Sequence, residues 1–156
     1  MDICDAPASM TRALTEQIAR QLFDVLPEGG PVLLIMDRDG HCWSSDAEEL
    51  ARLNLDPALL KDLRAKVDDG VEPVVTRIGD TSVTVAQLAT DRTNCGYVVV
   101  ALPKCGAEPT LTHANLVEVL VNQIALIARL IEQADTIART QVHCYKGYDV
   151  PAVPLN

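Results

Sequence analysis

The spacing of apolar residues changes period along the chain, and each change marks an element. Over residues 11–26, Leu14, Ile18, Leu22 and Val25 recur every three or four positions, which predicts a helix with one apolar stripe. Ser9 or Thr11 stands where a cap is needed, and Pro27-Glu28-Gly29-Gly30-Pro31 ends the helix. Residues 32–36 are uninterrupted aliphatic, the length of a central strand. Asp37-Arg38-Asp39-Gly40 then reads as a tight turn, with glycine where positive φ is wanted, and His41-Cys42-Trp43 as the returning strand. Ser44-Ser45-Asp46 precedes Ala47-Glu48-Glu49-Leu50, a capped helical turn. Asp56-Pro57 opens another helix, with Leu59, Leu60, Leu63 and Val67 on its apolar face and Asp68-Asp69-Gly70 at its end. Residues 73–78 and 81–88 predict two strands joined at Gly79-Asp80. In the second, Val83 and Val85 alternate with Ser82 and Thr84. Asp91-Arg92-Thr93-Asn94 predicts a loop, residues 96–102 the most strongly β segment, and 103–109 a loop. Thr110 or Thr112 opens a last helix that runs to Thr140.

This order places five strands in hairpin connections, with too few helices between strands for a doubly wound parallel sheet. The expected class is α+β. Residues 11–140 form one domain, residues 1–10 a flexible N-terminus and residues 141–156 an extended tail. The last helix is apolar round most of its middle. Leu116, Leu120, Ile124, Ile127, Ile131, Ala134 and Ala138 make one stripe. Val117, Val121, Ala125, Ala128 and Ile137 lie beside it, and Val119, Leu126 and Leu130 widen the arc. A helix resting on a sheet needs one apolar stripe only. A second side must be covered; the first helix can supply part of that cover and a partner copy is the simpler source for the rest, a monomer covered by its own N-terminal helix being the alternative. The expected homodimer interface is Leu14, Ile18, Leu22, Val117, Leu120, Val121, Ile124, Ile127, Ala128 and Ile131, with Glu118, Gln123, Arg129 and Glu132 at the rim.

In this arrangement the chain resembles the GAF and PAS sensor domains, whose profilin-like sheet of five antiparallel strands is flanked by N- and C-terminal helices. The strand-Asp37-Arg38-Asp39-Gly40-strand hairpin is similar to the opening hairpin of PAS domains. Gly96-Tyr97-Val98-Val99-Val100-Ala101-Leu102-Pro103 is similar to the last strand of GAF domains. Ser44, Ser45 and Asp46 stand where a PAS domain carries its helical Asn, so the resemblance is closer to GAF. It implies a non-enzymatic regulatory module that senses a small ligand or dimerises, and that acts through a signalling partner protein, since no output domain is attached. A purely structural dimer with a filled core is the alternative.

Composition and charge narrow this further. A net charge of -9 opposes binding to a nucleic-acid backbone or an anionic membrane. Residues 1–10 lack the basic start and apolar run of a signal peptide, and the polar residues inside 116–131 argue against a membrane span, so a cytoplasmic location is expected. Only 3 % of residues are aromatic, so the core must be aliphatic. Five cysteines at irregular spacing make a poor disulfide framework, and Cys95 reads as a small buried hydrophobe, while Cys4 and Cys144 read as free thiols. His41-Cys42 and His143-Cys144 are awkward metal chelates, because neighbours on a strand point to opposite faces.

A ligand pocket is expected between the sheet and the short helices. Trp43, Leu50, Leu53, Leu59, Leu63, Val75, Val83, Val85 and Tyr97 would form its wall, and His41, Arg77, Arg92 and Asn94 its polar groups. His113 falls in the first turn of the last helix and is expected at the surface, without a haem. Asp37-Arg38-Asp39-Gly40 also resembles the nucleophile motif of haloacid-dehalogenase-like phosphatases, which would make Asp37 the nucleophile, Asp39 the general acid and Mg2+ the cofactor. His41 replaces the usual hydroxyl residue there, and the further carboxylates such a site needs are not in place. A calcium loop at the same acids lacks its downstream ligands. No catalytic residue, metal or cofactor is therefore expected.

Overall fold

The computed structural model describes residues 8–70, 72–103 and 111–146. Nine elements follow in order: α1 (Ala8–Asp24), β1 (Val32–Met36), β2 (Cys42–Ser44), α2 (Ala47–Leu53), α3 (Pro57–Gly70), β3 (Val74–Ile78), β4 (Thr81–Ala89), β5 (Asn94–Leu102) and α4 (Leu111–Lys146). The strands form one antiparallel sheet in the order β2-β1-β5-β4-β3. The fold is α+β with an open sheet, and β2 and β3 lie at its edges. The last helix continues to Lys146, past the Thr140 expected from its apolar pattern. All but Pro103 of the loop expected at 103–109, and most of both termini, with Cys4 and Cys105, lie outside the described residues.

Strand alternation divides the core in two. On one face Leu33, Ile35, Ala86, Leu88, Cys95, Val98 and Val100 meet Ile18, Ala19 and Leu22 of α1 and Ile124, Ala128 and Ile131 of α4. On the other, Val32, Leu34, Met36, Val83, Val85, Tyr97, Val99 and Ala101 meet Leu63 and Val67 of α3. Both faces of β1 and β5 are covered, which is why these strands are continuously aliphatic. Local signals set the element ends. Asp46 caps α2 by accepting from the Glu49 N–H at 3.0 Å, and Asn54 closes that helix in the left-handed conformation.

The β1–β2 turn is held by one buried carboxylate. Asp37 Oδ1 accepts from the Asp39 and His41 backbone N–H groups at 2.9 and 2.8 Å, and Oδ2 accepts from the His41 ring Nδ1 at 2.8 Å. Gly40, at φ 94°, makes the reversal that a Cβ would resist.

Candidate functional site

The six residues expected to contact a ligand do not converge. Trp43 pairs with Ile35 and packs on the α1–α4 side of the sheet. Tyr97 lies on the α3 side, where its hydroxyl donates to the Asp68 carboxylate at 2.7 Å and the Arg64 guanidinium stands 5.7 Å from its ring centre. Arg77 is on the edge strand β3 and donates to the Gly79 carbonyl at 2.9 Å. His41 is spent on the Asp37 turn. Arg92 and Asn94 alone come together, at the β4–β5 turn.

The expected pocket also takes a different form. The space between the sheet and the short helices is filled by Leu63, Val67, Val83 and Val85, each at most 2 % exposed. Trp43 and Val75, assigned to its wall, belong to the opposite face. The strand register decides this, because Val75 pairs with Thr84 and so points away from Val83 and Val85.

The expected dimer interface needs a larger correction. Ile18, Leu22, Val117, Ile124, Ala128 and Ile131 are buried in the chain's own core, and Leu14, Leu120, Val121 and Ile127 are partly buried against it. They cover the sheet and each other, so they are not a surface. Six large apolar residues of α4, Leu116, Val119, Leu126, Leu130, Ile137 and Val142, are between 49 % and 59 % exposed, and all but Val142 share one face. At 100° per residue, Leu126 stands about 200° round the helix from Ile124, on the side away from the sheet. With Gln123 and Gln133 filling the gaps, the seven positions 116, 119, 123, 126, 130, 133 and 137 step by three and four in strict alternation. That is the spacing of a helix–helix seam.

A second feature lies at the open end of the sheet. The first turns of α1, the β1–β2 turn and the β4–β5 turn enclose a cleft of about 470 Å³ lined by Arg12, Arg38, Arg92, Thr11, Thr93 and Asn94, with Asp37 and Asp39 at one side. The β4–β5 turn is tied to α4, since the Thr93 hydroxyl donates to Glu132 at 2.6 Å and Arg129 pairs with Asp91 at 3.5 Å.

Comparison with known proteins returns nothing: no family model, curated protein or solved structure matches this chain. The site must be read from its own geometry.

Asp37, Asp39 and His41 bring three ligand-type atoms within 4.8 Å of one another. The turn accounts for that grouping, because both Asp37 oxygens already accept from it. A phosphoryl-attacking carboxylate needs an unshielded oxygen, and Asp37 is 2 % exposed.

Cys95 is the buried thiol of the α1–α4 face. Burial pushes it up to about 11, against a smaller opposing effect of the hydrogen bond with Thr15. Below pH 9 the thiol is protonated in both folded and unfolded chains and its contribution is complete. Between pH 9 and about 11 the unfolded chain ionises first, and stability falls. Denaturant titrations at pH 8 and pH 10.5 should show a loss in the native sequence that exceeds the loss in Cys95→Ala by about 2 kcal/mol.

Proposed function

We propose that this chain is a non-enzymatic, GAF/PAS-like regulatory module that works as a homodimer, paired through the outward face of α4. The observation that carries this is the seam of Leu116, Val119, Leu126, Leu130 and Ile137, left half-exposed by a single copy. The strand order β2-β1-β5-β4-β3, with both terminal helices on one face, supports the GAF/PAS-like reading.

Charge favours a second copy as the occupant. Two chains of -9 repel wherever their acids meet. From Leu116 to Gln141 the seam and its flanking positions carry one charge, Arg129, which is paired with Asp91. Glu118, Glu132 and Asp135 lie off the seam. Completing the burial of five half-exposed aliphatic side chains yields about 1 kcal/mol each. Gln123 and Gln133 set the register of the seam.

One observation favours a second reading. Residues 114–142 are long and apolar enough to cross a membrane. Yet Ile124, Ala128 and Ile131 of that segment are core residues beneath which Leu33, Ile35 and Leu88 are buried, and withdrawing α4 into lipid would bare them. Glu118, Arg129, Glu132 and Asp135 would enter with it, at about 2.5–3.5 kcal/mol for each Asp or Arg near the centre. Burial of one stripe in the core supports the docked helix and a cytoplasmic module.

Hydroxyl-radical footprinting tests the interface. Leu126 and Leu130 should be protected in concentrated protein and become oxidised on dilution, while Val25, 71 % exposed and not part of the seam, stays oxidised throughout. Equal oxidation of all three at every concentration would defeat the proposal.

A further inference from the structure

The described arginines separate by what they touch. Arg20, Arg52, Arg129 and Arg139 pair with carboxylates. Arg64 lies over the Tyr97 ring, and Arg77 donates to the Gly79 carbonyl. Arg12, Arg38 and Arg92 remain. None of these three has an acidic partner within 4.0 Å among the described residues, and all three line the same cleft. They reach it from three separate parts of the chain: α1, the β1–β2 turn and the β4–β5 turn.

Three arginines that line one cleft without an acidic partner bring positive charge to it, and an anion would offset that charge. The rest of the lining suits an oxyanion. Thr11 offers a hydroxyl donor, Asn94 an amide, and the start of α1 at Ala8 its positive end, while the Thr93 hydroxyl is committed to Glu132. Of the two acids present, Asp37 is tied to its own turn, and Asp39 alone adds an exposed opposing charge.

We propose that this cleft binds a small phosphorylated molecule through its phosphoryl oxygens. Planar guanidinium forks match phosphate oxygens two at a time. The volume of about 470 Å³ holds a metabolite rather than a bare ion. Among the described residues no aromatic ring lines the cleft, so recognition is of the phosphoryl group and not of a stacked base. Arg92 sits on the turn that Thr93 and Asp91 tie to α4, which places a bound anion one hydrogen bond away from the helix that carries the seam. The binding itself is independent of dimerisation, since none of the three arginines is on α4.

The test is calorimetric titration of the full chain with inorganic pyrophosphate at low salt. One equivalent per chain should bind saturably. Arg12→Gln, Arg38→Gln and Arg92→Gln should each weaken binding about tenfold or more. Asp39→Asn should strengthen it several-fold, and Arg20→Gln, which touches only a surface ion pair, should leave it unchanged. All four arginines are exposed, so circular dichroism should show the same fold in every variant. Absence of saturable binding overturns the proposal. So does an Arg20→Gln loss equal to the other three, which would mean general charge screening. Citrate binding as tightly as pyrophosphate would remove the phosphoryl assignment. A phosphopeptide that binds where pyrophosphate does not would replace the small molecule by a protein partner.

Discussion

Glutamate at both Leu126 and Leu130 is expected to turn the dimer into a folded monomer. Each side chain is half in water in a single copy, and glutamate is a good helix former, so the chain should keep its helical content. In the dimer the change removes four apolar side chains from the seam and places four like charges there. The lost burial alone exceeds about 4 kcal/mol, so sedimentation equilibrium should show at least a roughly thousandfold weaker association. Val25→Glu, at a more exposed apolar residue that is not part of the seam, should have no effect on assembly. An unchanged dimer in the double variant would put the interface elsewhere.

The largest expected loss of stability comes from a single methyl group. Gly96 has φ 114°, and a Cβ built there would overlap the Met36 carbonyl oxygen and crowd the Asp37 backbone. The neighbouring pair Met36–Tyr97 is where β5 joins β1, so the two strands cannot separate to make room without losing their ladder. The same backbone carries Asp37, whose carboxylate holds the next turn. Gly96→Ala combines an unfavourable backbone conformation with a steric overlap and should cost about 3–5 kcal/mol, a large part of the ~5–15 kcal/mol that holds a domain together. Thermal unfolding should fall by roughly 10–15 °C. Gly70→Ala, near the end of α3 with open space around its Cβ, should change the midpoint little. A Gly96→Ala protein that melts with the native sequence would mean the β1–β5 junction is looser than described.

Much of this architecture was readable from residue order, because its signals are local. Asp37-Arg38-Asp39-Gly40, Gly79-Asp80 and Asp56-Pro57 each specify a turn or a helix start without reference to the rest of the chain. What could not be read depends on register. Trp43 falls on the α1–α4 face because it pairs with Ile35, and Val75 because it pairs with Thr84. On α4 the apolar pattern runs nearly all round, so periodicity alone does not tell which arc meets the sheet. The sheet took Val117, Ile124, Ala128 and Ile131 and left the seam outside. A signal for the seam was present, in the three-four alternation from Leu116 to Ile137 that passes through Gln123 and Gln133. Arg92 and Asn94, expected in a pocket against the short helices, lie instead at the β4–β5 turn beside Arg12 and Arg38, brought there by pairings between β1, β5 and β4 that no local pattern encodes.

The mass of the native protein by light scattering, followed from high to low concentration, bears most directly on the shared α4 seam. Concentrated protein should scatter as two copies of the 16.9 kDa chain and pass reversibly to one on dilution. A mass of one copy at every concentration would leave the outward face of α4 wet and contradict the account.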